Sequence, residues 1–215
     1  MTSINVVTPW HNAHELAPAY WKAMEALGPR DGVVVIDNAS VPPLEHPRRE
    51  RVQIIRSAGN LGFSKASNLG IFSAPADAIV FLNNDIRATS GDWPEQIRAA
   101  LEPGVLVGAH LRDEPHASVD GHAVPYLDGW CLAGMRADID GLGGWDEHYE
   151  EPSYFGDNDL CVRAVAAGME LRQVNVGLAH LGNYTSRRYA SRDDVTARNR
   201  ARYETAVRRL RKPEA

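Results

Sequence analysis

The sequence predicts an α/β fold, a mainly parallel central sheet with helices on both faces. Three observations carry this expectation. Short apolar runs alternate with longer helix-like segments through the first 110 or so residues. The runs "GVVVI" and "AIVFL" are apolar throughout, as strands buried on both faces are. Turn-forming or polar residues bound each run. A βαβ alternation of this kind puts the strands in one layer and the helices over it.

"INVVT" (4–8) opens the series as a strand. "HELAPAYWKAMEAL" (14–27) reads as a helix that Gly28-Pro29 stops. "GVVVIDN" (32–38) and "RVQIIR" (51–56) are the second and third strands, "SKASNLGIFSA" (64–74) a short helix, and "AIVFL" (78–82) the fourth strand. Asp92, ahead of Trp93-Pro94, has the character of an N-cap with proline in the first turn, opening a helix to about Leu101. Beyond it the alternation weakens. "VLVGAHL" (105–111) is a further strand, while residues 112–152 are rich in Gly, Pro, His and acids, with extended structure only in "AVPYLDGWCLAG" (123–134). A helix resumes at "DLCVRAVAAG" (159–168), with Gly168 as its stop, and "ELRQVNVGLAHLG" (170–182) reads as a strand leading into a loop. The last segment, "TARNRARYETAVRRLRK" (196–212), is a basic helix.

At 215 residues, 44% of them apolar, the chain is long enough for one well-filled core, and one domain is the expectation. A formal charge of −5 gives no overall electrostatic reason to bind nucleic acid. Cys131 and Cys161 are far apart and lack metal or redox spacing, so they read as reduced thiols. No window approaches about 18 consecutive apolar residues, and the amino terminus lacks a basic start followed by an apolar stretch. A soluble, cytoplasmic protein is expected.

Chemistry gathers at the strand ends. Thr8, Asp37 and the Asn83-Asn84-Asp85 triplet each follow an apolar strand, so a parallel sheet brings them to one crevice. Asp and Asn are also favoured in turns for local reasons, and Asp37 alone fits either role. Between them, "RSAGNLGFSKASNLG" (56–70) contains neither the dinucleotide fingerprint nor the P-loop. It misses the G-x-S-x-G nucleophile elbow because Ala66 replaces the second glycine. What remains is a loop of small residues that permits close ligand approach, with Arg56 and Lys65 available to an anion or base.

Taken in order, "TPWHN", "VVVIDNAS", "RSAGNLGFSKASNLGI", "IVFLNND", "GLGGWDE" and "YFGDNDLCVRAVAAG" resemble the family-two glycosyltransferases of the GT-A fold, in particular their rhamnosyltransferase-like branch. The resemblance covers roughly residues 4–186. It implies a GT-A-type nucleotide-binding fold and inverting transfer of a sugar from a nucleoside-diphosphate-sugar to an acceptor hydroxyl, usually with Mn²⁺ or Mg²⁺. On this reading about 1–111 form the nucleotide-sugar half, about 112–190 the acceptor and catalytic half, and 191–215 a helical tail of one domain.

The resemblance assigns roles residue by residue. Thr8 and Asp37 match the family's nucleoside contacts. Arg56 and Asn60 match positions that frame the base, with Lys65 close by in the same loop. Asn83-Asn84-Asp85 matches the D-x-D whose last carboxylate holds the cation on the diphosphate. Asn83 replaces the first Asp; an amide oxygen can coordinate a hard cation but adds no charge, so the diphosphate would have to supply it. His180 matches a late histidine and reads either as a second metal ligand or as a loop hydrogen-bonding residue. Imidazole suits Mn²⁺ better than Mg²⁺.

On the acceptor side, "FGDND" matches the family's E-D-x-D, with Gly156 in place of Glu and Asp157 at the general-base position. From the residues alone, Asp157 reads as an N-cap and Asp159 with Arg163 as an i,i+4 pair on a solvated face. Trp130, Trp145 and Tyr154 are candidate acceptor-stacking residues, although large aromatics also fill cores. Asp146 and Glu147 read as structural, and Trp10 or His11 as lining the base pocket. The donor class implied is UDP-, dTDP- or GDP-linked, and the acceptor a glycan, a lipid-linked molecule or a protein. The tail reads as a solvated helix packed on the sheet, with membrane contact at most peripheral. Arg187 and Arg188 suggest a basic loop closing over the diphosphate, and the oligomeric state, monomer or homo-oligomer, stays open. Two other classes compete: a sugar nucleotidyltransferase, and a catalytically idle nucleotide-sugar-binding module.

Overall fold

A computed structural model describes residues 2–47, 49–73, 75–182 and 192–211. In chain order the elements are β1 (Ile4–Trp10), α1 (Ala17–Ala23, flanked by single 3₁₀ turns), β2 (Gly32–Asp37), β3 (Val52–Arg56), α2 (Gly62–Ser73), β4 (Ala78–Leu82), β5 (Ile86–Ala88) and α3 (Trp93–Ala100). They continue with β6 (Val105–Gly108), β7 (Leu111–Arg112), β8 (Tyr126–Leu127), β9 (Cys131–Met135), α4 (Arg136–Gly141), α5 (Gly156–Ala166), β10 (Glu170–Gln173), β11 (Leu178–His180) and α6 (Arg192–Arg211).

The central sheet has seven strands in the order β10-β6-β9-β4-β1-β2-β3. β1 runs parallel to β2 and β4, β2 to β3, and β10 to β6, while β9 alone is antiparallel to its neighbours β4 and β6. The expected mainly parallel sheet is present. Alternate strand residues feed two cores, as the period of two requires. Val6, Val33, Val35, Val80 and Leu82 pack with Tyr20, Met24, Trp93 and Ile97 on the α1 and α3 face. Val7, Val34, Ile36, Ile79 and Phe81 pack with Ala66, Ile71, Ile139, Leu160 and Cys161 on the α2, α4 and α5 face. Complete burial of a side chain such as Phe81 contributes about 1.5–3 kcal/mol. Gly70 lets α2 lie directly on β1, since a Cβ there would stand 2.2 Å from Val7 Cγ1.

Several boundaries differ from expectation. The 170–182 strand divides into β10 and β11, because Gly177 takes a positive φ of 54° and the chain turns into a second, two-stranded sheet with β5. The 105–111 strand likewise divides, β7 pairing with β8 instead of extending β6. Asp92 stands at the N-cap of α3 but makes no side-chain cap; its carboxylate accepts from Ser90 Oγ and Gln96 Nε2. α5 begins three residues earlier than predicted, with Phe155 in left-handed conformation at its N-cap. Asp157 is therefore in its first turn and is not the cap.

The basic helix α6 packs against α5 and the 117–124 segment, not on the sheet, through a core of Tyr203, Val207, Phe155, Tyr149, Val119 and Val124. Its arginines face acids of the same chain: Arg198 pairs with Glu150, Arg202 with Asp146, and Arg208 with Asp120. Among the described residues no helix is long and apolar enough to cross a membrane. Both cysteines are buried and free.

Candidate active site

One cavity of about 810 Å³ opens at the carboxyl ends of β1, β2 and β4 and is closed on the other side by the 126–130 and 151–158 segments. β4 ends at Leu82, and Asn83, Asn84 and Asp85 turn into this space before β5 begins. Asn84 and Asp85 are buried, Asn83 half-buried. The small β5–β11 sheet sets Ile86 opposite His180, and the Leu181 N–H donates to the Asp85 carbonyl at 2.8 Å. That pairing delivers the imidazole to the triplet. His180 Nε2 lies 3.0 Å from Asp85 Oδ1 and 3.4 Å from Asn83 Nδ2.

The separation of Asp85 Oδ1 and His180 Nε2 is that of a hydrogen bond between the two side chains. Their carboxylate oxygen and imidazole nitrogen are donor types that suit Mn²⁺. Among the described residues no group of three or more His, Cys, Asp and Glu comes together.

Across the cavity, Asp157 Oδ2 accepts the Gly129 N–H at 3.0 Å and Oδ1 accepts the Asn158 N–H at 3.0 Å. Burial pushes its carboxyl above the usual range; the two backbone N–H groups pull it down, and the Asp128 charge pushes it up again. Gly129 must stay small, because a Cβ there would meet Asp157 Cβ at 3.1 Å and Trp145 at 3.3 Å.

Asn60, Asn84, Asp85, Asp157, His180, Trp130, Trp145 and Tyr154 all line this one cavity. Thr8, Asp37, Arg56 and Lys65 do not. β1 runs two residues past Thr8, whose hydroxyl is fully buried 2.7 Å from Tyr20 Oη, so Pro9, Trp10 and His11 hold the wall expected of it. The Asp37 carboxylate is saturated: Oδ1 accepts the Ser40 N–H, and Oδ2 accepts the Leu44 N–H and Arg56 Nη1 at 2.6 Å. Burial raises its pKa, but these bonds outweigh the effect and hold it below the ordinary value. Asp37 and Arg56 thus brace the 38–44 turn, and the neighbouring Asn38 reaches the cavity instead, accepting the Leu61 N–H and donating to the Gly62 carbonyl. Lys65 is on the exposed face of α2.

The aromatic residues also differ from expectation. Trp145 is 2% exposed and wedged edge-on between Phe63 and Phe81, a core position behind the cavity wall. Trp130 stacks flat on His180, with ring centroids 5.0 Å apart and planes at 4°, so that face is not free for a sugar. Tyr154 remains half-buried at the cavity edge. Asp159 and Arg163 do pair at 2.8 Å, but Asp159 is buried, and Arg163 also binds the Leu142 and Gly144 carbonyls, fastening the "GLGGW" loop to α5. Glu147 accepts from Asn68, and Asp146 pairs with Arg202, both structural. Arg187 and Arg188 lie outside the described residues.

Glu151 is a cavity residue that the sequence did not single out. Its Oε1 accepts the Phe63 N–H and the Ser153 hydroxyl, tying the 150–155 turn to the start of α2, and burial raises its pKa. Its only sequence signal is an acid beside a proline in a stretch already crowded with both.

A mainly parallel sheet with polar side chains and a buried carboxylate around one crevice at its strand ends is the α/β arrangement of the GT-A fold. The family model described as "Glycosyl transferase family 2" matches residues 5–141, and the chain belongs to that family. No curated protein sequence matches it. Among solved structures, a mannosyltransferase from Pyrobaculum calidifontis, PcManGT, in complex with GDP-Man and Mn²⁺, aligns with a TM-score of 0.64 at 13% identity, over 96% of this chain and 72% of that one. S. aureus TarS 1–349 aligns with a TM-score of 0.57 at 11% identity, over 80% of this chain and 58% of that one. Its complex with UDP gives 0.58 at 14%, over 79% and 57%. This chain spans less than two thirds of either TarS chain.

Proposed function

We propose that the protein is an inverting glycosyltransferase of the rhamnosyltransferase-like branch, moving a hexose from a nucleoside-diphosphate-sugar to an acceptor hydroxyl. The single observation that carries this reading is that Asp85 and Asp157 line one cavity of about 810 Å³ in a family-2 chain. The nucleoside sits along Pro9 to His11, Asn38 and Asn60, and the diphosphate turns toward Asn84 and Asp85. Asp85 and His180 would hold a divalent cation there, which supplies charge stabilisation to the departing diphosphate. GDP-Man and Mn²⁺ in the Pyrobaculum enzyme and UDP in TarS are the kinds of ligand this reading requires.

Asp157 takes the proton from the acceptor hydroxyl as that oxygen bonds to the anomeric carbon. The bond from that carbon to the diphosphate oxygen breaks, and the nucleoside diphosphate leaves with the electron pair. Attack from the Asp157 side, opposite the diphosphate, inverts the anomeric centre. Gly129 and Asn158 N–H groups keep the carboxylate aimed into the cavity.

The test is to incubate the protein with UDP-, dTDP- and GDP-hexoses, Mn²⁺ and a panel of simple glycosides. Release of nucleoside diphosphate with formation of an inverted glycoside, lost in Asp157→Asn, supports the transferase. Pyrophosphate release indicates a nucleotidyltransferase, and binding without turnover an idle module.

A further inference from the structure

We infer that Trp130 is a positioning residue for the cation site: its indole fixes the plane of the His180 ring so that Nε2 faces Asp85. This deepens the proposed function and rests on the reading of Asp85 and His180 as cation ligands.

His180 needs such a support. β11 is three residues long, and its pairing with β5 fixes the backbone at His180 but not the ring. The side chain is 21% exposed on the cavity wall; the contacts of Nε2 with Asp85 and Asn83 hold one corner of the ring, and holding its plane needs a surface packed on the imidazole face. Trp130 supplies that surface, lying parallel to the ring at 4° and 5.0 Å between centroids. The indole is itself immobilised: it is 6% exposed, belongs to the α1-side core, and meets the His110 ring edge-on. Its backbone is tied to the same triplet, since the Trp130 carbonyl accepts the Asn83 N–H at 2.9 Å. One residue earlier, Gly129 donates to Asp157. The dipeptide Gly129-Trp130 therefore touches the base through a backbone N–H and the cation ligand through a side-chain face.

A partner that orients a metal-binding imidazole typically changes metal affinity by about 10–100-fold when removed. Mn²⁺ binding to the full chain, measured by the loss of the free Mn²⁺ electron paramagnetic resonance signal in the presence of UDP and, separately, GDP, reads this directly and needs no acceptor. Trp130→Leu is expected to raise the Mn²⁺ Kd by about 10-fold or more while leaving metal-free nucleotide affinity unchanged. Trp130→Phe, which keeps a flat ring, is expected to recover most of the affinity. In the His180→Ala background, Trp130→Leu should have no further effect, because the ring it supports is gone. Equal losses with and without His180 would make Trp130 a general structural residue and overturn the inference, as would unchanged Mn²⁺ affinity in Trp130→Leu. If Trp130→Leu does not fold, Trp130→Met replaces it in the same two backgrounds, and the same outcomes support or reject the inference. Unchanged Mn²⁺ affinity in His180→Ala alone would overturn the underlying cation site and the inference with it.

Discussion

The Gly129 N–H donates to Asp157 Oδ2 at 3.0 Å, and the next residue meets the Asn83 N–H through its carbonyl and His180 through its ring. A single turn between β8 and β9 thus reaches both Asp157 and the Asn83-to-Asp85 triplet. On the proposed function, the two ends of the reaction are held by one short piece of chain.

Replacing Asp157 by Asn removes the proton acceptor but keeps an oxygen for the Gly129 N–H. Turnover is expected to fall by about 10²–10⁴-fold, with nucleotide affinity within about twofold of wild type. Paired rate and calorimetric binding measurements on the same sample check this.

Gly129→Ala should act through geometry. The added methyl comes to 3.1 Å from Asp157 Cβ and 3.3 Å from Trp145, so Asp157 must give way by a few tenths of an ångström, and misplacing that carboxylate lowers the rate. Expected are a lower kcat, an unchanged nucleotide Kd and a melting temperature close to wild type. A rate loss matched by equal loss of nucleotide binding would point to collapse of the cavity instead.

The pH dependence follows from the raised Asp157 carboxyl. In the proposed role as base Asp157 must be deprotonated, so kcat/KM is expected to rise with pH, with an acid limb above the ordinary aspartate value of about 3.9. Stability runs the other way: the folded state holds this proton, and that of Glu151, more tightly than the unfolded chain does. Both groups therefore lower stability as pH rises from their ordinary values through their raised ones. Asp37 is opposite in sign; its contribution is complete above the ordinary value and is lost as pH falls through the depressed folded one. A pH–rate profile and acid unfolding of Asp37→Asn against wild type separate the three.

Asp37→Ala leaves the Ser40 and Leu44 N–H groups and the Arg56 guanidinium without their shared acceptor. A loss of about 3 kcal/mol is expected, larger than for Arg56→Ala, whose side chain is 42% exposed and screened by water. Chemical denaturation of both variants measures the difference.

The fold was legible because buried parallel strands write themselves as apolar runs; β1, β2, β3 and β4 stand within two residues of where those runs fall. The extended segment 123–134 was readable, but its division into β8 and an antiparallel β9 and the separate β5–β11 sheet were not, since strands of two or three residues carry too little periodicity to be read. At the site, the triplet after β4 was readable as a polar interruption of an apolar segment and Asp157 only through the family resemblance, and both reach the cavity. Thr8 was misplaced because β1 continues through Pro9, which suits a strand end poorly in sequence. Trp130 and Glu151 were opaque for a different reason: their partners, His180 and Phe63, are 50 and 88 positions away in sequence, and only the folded chain brings each pair together.

The central claim is that one nucleotide-sugar lies between Asp85 and Asp157. Crystals grown with Mn²⁺ and a nucleoside diphosphate, with anomalous data collected at the manganese edge, test it most directly. A manganese peak bonded to Asp85 and His180, with the diphosphate turned into the cavity that Asp157 closes, is the predicted result. Manganese or nucleotide bound outside that cavity, with Asp85 unliganded, would contradict it.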